Sequence, residues 1–139
     1  MDHVAIMDSR LGLIPKIISG EKDVESRWYA RKRAPWGKIE QGDFVYFKNA
    51  GGFVVARAEV SCVKQYDNLD RERIREMLRE YAKRLGVDST FFQQVQNKRY
   101  CILVELLNPE RVEPFKINKK GFAIGDAWLV LPDIQAIRR

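Results

Sequence analysis

The spacing of apolar residues changes several times along the chain, and each change predicts an element. An apolar run within His3 to Met7 predicts a first strand. Leu11, Ile14, Ile17 and Ile18 then recur at helical spacing, so a helix is expected from about Ser9 to Ser19, with Gly20 as its stop. Pro15 conflicts with one continuous helix, because proline costs about 3 kcal/mol in a helix interior. A second helix start near Leu13 removes the conflict. Val24 to Tyr29 is the next strand, Arg31 to Gln41 a loop broken by Pro35 and Gly37, and Gly42-Asp43 a turn into a strand from Phe44 to Lys48. Asn49-Ala50-Gly51-Gly52 is a hairpin connection. A long strand follows from Phe53 to about Val63, with Val55, Arg57, Glu59 and Ser61 on one face.

The second half holds the clearest helix, Asp67 to Leu85, in which Ile74, Met77, Leu78, Tyr81 and Leu85 form an apolar stripe and Gly86 gives the stop. Its other face carries charges of both signs, the pattern of a solvated helix surface. Asp88 to Gln96 predicts a short helix and Arg99 to Leu107 a buried strand. Pro109 to Ile117 reads as an extended or edge segment, Asn118 to Gly121 as a turn and Trp128 to Leu131 as a closing strand. No repeat or linker divides the pattern, so residues 1–139 are expected to form one α+β domain.

Composition narrows the chemistry. A hydrophobic share of 45% with 32% charged residues is that of an ordinary globular chain. No stretch approaches the roughly 18 uncharged residues that span a bilayer, which predicts a cytosolic protein with no membrane partner. Cys62 and Cys101 lie among β-branched and apolar residues at no metal or redox spacing, and are expected as buried, reduced thiols. His3 is the single histidine, expected as a surface or strand residue, and with one imidazole neither a multi-histidine metal site nor a histidine-activated nucleophile is expected. No cofactor is expected.

The net charge of +6 is compatible with a polyanionic partner, and its distribution says more than its total. From Arg27 to Lys38 the chain carries five cations (Arg27, Arg31, Lys32, Arg33 and Lys38), three aromatics and no acid, a local density that suits nucleic-acid contact. Arg31, Lys32, Arg33 and Lys38 suit phosphates. Trp36 either covers the end of a barrel or stacks a base. Trp28, on the strand face opposite Arg27, is expected in the core, as is Trp128. Lys48, near a hairpin, is a candidate to reach the same cleft, while Lys116, Lys119 and Lys120 make a second basic spot or a solubilising turn.

Residues 20 to 27, Gly-Glu-Lys-Asp-Val-Glu-Ser-Arg, form the most informative octet, since they bring Lys22, Glu25 and Arg27 to a helix-to-strand corner. Glu25 and Arg27 share a strand face, and Lys22 in the turn can bend towards them. Such a trio pins a helix to a strand, or it binds a phosphate or carbonyl through the donors that the ion pair leaves free. No core role is expected for two cations at such a corner, which favours ligand contact.

The octet fits G-x-K-x-x-E-x-R. With Ile17-Ile18-Ser19-Gly20-Glu21-Lys22 before it, Gly42-Asp43 feeding Phe44 to Lys48, and Ala56-Arg57-Ala58-Glu59-Val60, the chain resembles the ASCH family of the PUA-like superfamily over about residues 3 to 107. The resemblance implies a small PUA-like mixed or antiparallel β-barrel with two to three flanking helices. It also implies a cleft lined by Lys22, Glu25 and Arg27 that takes RNA or a nucleotide-bearing ligand. The family's amidohydrolases, which act on acetylated cytidine, carry a Thr three residues after the Lys; this chain has Glu25 there, which removes the hydroxyl. An RNA-processing enzyme, either such an amidohydrolase or a metal-independent ribonuclease using Lys22 and Glu25, stays open as an alternative. A further alternative is a protein-interaction module that docks through the charged helix.

Overall fold

Ala56, Ala58 and Val60 are buried while Arg57 and Glu59 between them are partly exposed, so the alternation written in the sequence becomes the two faces of a strand. The computed structural model describes residues 1–123 and 125–139. Its elements are β1 (Asp2–Met7), a 3-10 turn (Ser9–Leu11), α1 (Leu13–Ser19), β2 (Val24–Tyr29), β3 (Phe44–Asn49), β4 (Val54–Tyr66), α2 (Arg71–Leu85), α3 (Phe91–Val95), β5 (Tyr100–Phe115), β6 (Trp128–Leu131) and a 3-10 turn (Ile134–Ala136). The strands make one sheet in the order β2-β5-β4-β3-β1-β6, curled into a half-barrel. β1 runs parallel to β3 and every other pair is antiparallel, so the sheet is mixed, with three α-helices around it. Among the described residues the curl leaves β2 and β6 as unpaired edges. No described helix is long and apolar enough to cross a membrane.

The first helix is split as the proline requires. Gly12 takes a left-handed conformation (φ 60°) between the 3-10 turn and α1, which puts Pro15 in the first turn of α1, where its missing N–H costs nothing. α2 begins four residues later than the expected Asp67, because Asp70 is extended and its carboxylate accepts the N–H of Arg73 at 2.8 Å. The short helix expected from Asp88 shrinks to Phe91–Val95. β4 runs three residues past Val63.

The extended segment expected from Pro109 is an edge, as read, and it joins the preceding strand in one long β5 that runs to Phe115. β2 pairs only with residues up to Glu105, so the later part of β5 has β4 alone as partner and its other side needs no donors. The register against β4 slips beside Asn108, whose φ is +51°, and this bulge absorbs the proline.

Three apolar clusters fill the structure. Inside the curl, Ile17 and Ile14 of α1 pack on Val45, Phe47, Ala56, Ala58, Ile102 and Trp128. The stripe of α2, all five residues buried as expected, covers Val24, Trp28, Cys101 and Leu103 on the outside of the β2 and β5 pair. The chain after β6 covers Val4, Tyr46 and Phe115 on another face. Cys101 is buried, as expected, but Cys62 is only half-buried, because β4 is bulged at that point.

Candidate functional site

The octet sits at the corner between α1 and β2, and its residues are held by contacts far away in sequence. Lys22 is 2% exposed. Its ammonium donates to the carbonyls of Val24 at 2.6 Å and Leu85 at 2.7 Å, and lies 3.5 Å from the Glu25 carboxylate. Leu85 is the last residue of α2, so the cation caps carbonyls at the negative end of that helix. Gly86, left-handed at φ +73°, lies against the Lys22 stem; a Cβ there would stand 3.5 Å from both Cβ and Cδ of Lys22. Asp23 reinforces the corner by pairing with Arg84 at 2.8 Å, and Arg84 also reaches Glu105 at 3.0 Å. The expectation that neither cation has a core role therefore fails for Lys22. Its donors satisfy buried backbone, which the sequence could not show because Leu85 is 63 residues away.

Glu25 is equally buried, with Oε1 accepting the N–H of Ser26 at 2.9 Å. Its Oε2 lies 3.5 Å from the Arg27 guanidinium without a hydrogen bond, and it is the one buried side-chain polar atom among the described residues with no hydrogen-bond partner. Arg27 directs its donors elsewhere, to the carbonyls of Ala127 at 3.2 Å and Ile6 at 3.4 Å, with its guanidinium 5.1 Å over the Trp128 ring. It thus spans the gap between edge strand β2 and the β1 and β6 side of the sheet. Burial pulls the Lys22 ammonium below its ordinary pKa against the pull of Glu25. Burial pushes the Glu25 carboxyl up, but Lys22 and Arg27 outweigh it and hold it below the usual carboxylate range. With two carbonyls and a carboxylate as acceptors around it, the Lys22 amine is placed as an anchor for the corner.

A cleft of about 400 Å³ opens over these groups. Lys22, Glu25, Ser26 and Arg27 lie along it with Met7, Tyr29, Phe91 and the Gly125 and Ala127 backbone, and Arg33 and Lys98 supply further cations at its sides. A larger groove of about 1000 Å³ runs between α2 and α3, where Leu78, Ala82, Val87 and Phe92 are flanked by Arg75, Arg79 and Asp88. The smaller cleft is the better candidate site because buried charges converge on it.

The basic-aromatic loop divides. Arg33 reaches the cleft, sits 5.4 Å over the Tyr29 ring and lies 3.5 Å from the Asp126 carboxylate. Lys32 lies over Trp36 and Tyr100, at 5.5 and 5.9 Å. Trp36 is half-buried, edge-on to Tyr100 at 5.3 Å, and covers the end of the interior cluster. Arg31 is exposed, and Lys38 faces a separate small hollow beside Met1. Lys48 does not reach the cleft: its pocket, beside Gly51 and Lys116, shares no residue with it. Side chains alternate along β3, and Val45 and Phe47 face the interior, which turns Lys48 to the opposite face with Tyr46.

Sequence reasoning missed the part that His3 plays. It is fully buried; the Trp128 indole N–H donates to its Nδ1 at 3.0 Å, which leaves Nε2 to donate to Asp43 at 2.8 Å. Asp43 also accepts the Glu40 N–H at 3.1 Å and the terminal amine of Met1 at 3.2 Å. Burial, the largest influence, lowers the His3 pKa despite Asp43, so the ring is neutral and structural. The signal for it was the Gly42-Asp43 turn, whose acid had no partner assigned. No group of three potential metal ligands converges among the described residues.

No protein-family model matches the chain, and no curated protein matches it in sequence. Solved structures do match it. An ASCH protein from Zymomonas mobilis aligns at 14% identity with a TM-score of 0.68, covering 94% of this chain and 87% of that one. A substituted form of the same protein aligns at 16% identity and a TM-score of 0.70, covering 97% and 91%. The N-terminal domain of McrB from Staphylothermus marinus aligns at 14% identity and a TM-score of 0.56, covering 94% and 87%. The curled six-stranded sheet and its three helices thus have the fold of these ASCH structures, the fold that the octet's resemblance implied.

Proposed function

We propose that the protein binds single-stranded RNA or a nucleotide-bearing ligand in the cleft over Lys22, Glu25 and Arg27. The observation that carries this reading is Glu25 Oε2, a buried carboxylate oxygen of a residue that lines the cleft, ion-paired with Arg27 at 3.5 Å but without a hydrogen bond. Such an atom costs on the order of 1 to 3 kcal/mol while it stays unpaired, and an N–H from a ligand removes that cost. The exocyclic amine or ring N–H of a nucleobase is a donor of the right size and polarity. Lys22 and Arg27 keep Glu25 ionised, so it accepts a hydrogen bond and offers none. Around it, Arg33 and Lys98 supply positive charge for phosphates, and Tyr29 and Phe91 supply aromatic surface. Arg31, Lys32 and Lys38 extend the positive charge beyond the cleft. The ASCH fold of the similar structures is compatible with this reading.

The test compares a short single-stranded RNA with a strand of the same length and charge that lacks bases. The base-bearing strand is expected to bind about tenfold more tightly, the equivalent of one charge-assisted hydrogen bond. Glu25→Gln, assayed on protein shown to be folded, should lose most of that difference. Equal affinity for the two strands on the parent protein would sink the assignment of Glu25.

A further inference from the structure

Lys48 occupies a position that its own strand would fill better with an apolar side chain. Phe44 and Tyr46 precede it on the same face of β3, and Lys48 is only 8% exposed. Unlike Lys22, it has no carbonyl and no carboxylate to donate to among the described residues. The one charged group that bears on it is a second cation, Lys119. An ammonium on a buried stem, without a protein acceptor and beside a like charge, is unfavourable, and an anion from outside would supply the missing countercharge. The ammonium faces a pocket of about 210 Å³, lined also by Lys116, Arg139, Phe53 and the backbone of Gly51 and Gly52, with no acidic side chain in its wall. Lys116 is steadied 5.5 Å over the Phe53 ring, and the backbone N–H of Arg139 donates to the Lys116 carbonyl at 2.7 Å. Lys48, Lys116 and Arg139 thus line, with the two glycines, one space large enough for a small oxyanion.

We infer that Lys48, Lys116 and Arg139 form a second anion site, separate from the cleft, that takes a phosphate group. Its geometry stands without the cleft reading, because the two share no lining residue. Burial and then Lys119 lower the Lys48 pKa, and a bound phosphate would oppose that lowering by supplying the missing countercharge. The phosphate is either free or part of a nucleic-acid backbone, and the two sources are separable.

The experiment follows the amide resonances and the melting temperature of the full chain during titration with sodium phosphate, against sodium chloride at matched ionic strength. Phosphate is expected to shift the resonances of Gly51, Gly52 and Ile117 and to raise the melting temperature beyond chloride, while Ser26 and Arg27 stay unmoved. Lys48→Met, which keeps the length of the buried stem and removes the charge, should fold at least as stably as the parent and bind phosphate at least tenfold more weakly. Lys116→Gln serves as a second variant with an exposed side chain and should weaken phosphate binding in the same direction. Titration with a single-stranded RNA identifies the source: shifts at both sites with RNA assign the pocket to a strand phosphate, and shifts with phosphate alone assign it to the free ion. Glu25→Gln should leave the phosphate response intact, which keeps a failure of the cleft reading distinct from a failure here. A parent protein that responds to phosphate no more than to chloride, or a Lys48→Met variant with the parent's phosphate response, would overturn the site.

Discussion

The octet corner and the loop from Arg31 to Lys38 carry the same kind of side chain and treat it in opposite ways. At the corner each cation has protein acceptors: Lys22 holds two carbonyls and Arg27 holds two more. In the loop, Arg31 and Lys38 are exposed, and Lys32 and Arg33 rest on aromatic faces. Buried cations are fixed by backbone that has no other partner, so they contribute to the fold whether or not a ligand is present. Exposed cations retain most of their hydration and act mainly on charge that comes from solution. A motif and a basic stretch that both suggest ligand binding therefore differ in what their removal should do.

The largest expected effect is at the corner. Lys22→Met leaves the Leu85 and Val24 carbonyls without a donor and Glu25 with Arg27 as its only cation, so it should cost about 3 to 5 kcal/mol in urea unfolding, the range for removing one partner of a buried ion pair. A loss below about 1 kcal/mol would erase the contrast with the loop.

The next effect belongs to another interior polar group. The folded pKa of His3 lies below the unfolded value of 6.5, so the unfolded chain takes up a proton first as pH falls. Stability should therefore decline with acidification from about that unfolded value until the folded pKa is reached, by no more than about 1.4 kcal/mol per pH unit for one proton. His3→Gln, which can still accept from Trp128 and donate to Asp43, should flatten this segment of the stability profile. A parent profile already flat there would remove His3 from the buried network.

The smallest effect on the fold is expected from the loop. Replacing Arg31, Lys32 and Arg33 together by Gln should change stability by less than about 0.5 kcal/mol. It should flatten the slope of log affinity against log salt for a single strand by roughly two units, at about 0.7 per phosphate contact. An unchanged slope would make the loop a solvated rim and leave ligand binding to the cleft alone.

Local patterns carried most of the fold. The stripe of α2, the alternation along β4 and the glycine stops were visible because each depends on residues within a few positions of one another. The extended or edge segment from Pro109 was legible, but its union with the preceding strand into one β5 was not, because the freedom of its outer side from Glu105 onward depends on where β2 ends. The site divides in the same way. That Lys22, Glu25 and Arg27 meet was legible from spacing, but the capping of Leu85, the pairing of His3 with Asp43 and the separation of Lys48 from the cleft depend on which elements become neighbours. Parallel pairing of β1 with β3 brings His3 to Asp43 across 40 positions, and no short-range pattern announces it.

The open curl of the sheet has a consequence for how chains meet one another. β2 is an edge strand, and an edge strand with free N–H and C=O groups invites a strand from another molecule. Here the Ser26 N–H is already taken by the Glu25 carboxylate, and the Arg27 guanidinium stands across the gap beside it. A neighbouring chain that tried to extend the sheet at this edge would have to dislodge buried charges before making its first backbone bond. The residues proposed to admit a ligand thereby also occupy the donor and the space that a strand added at β2 would need.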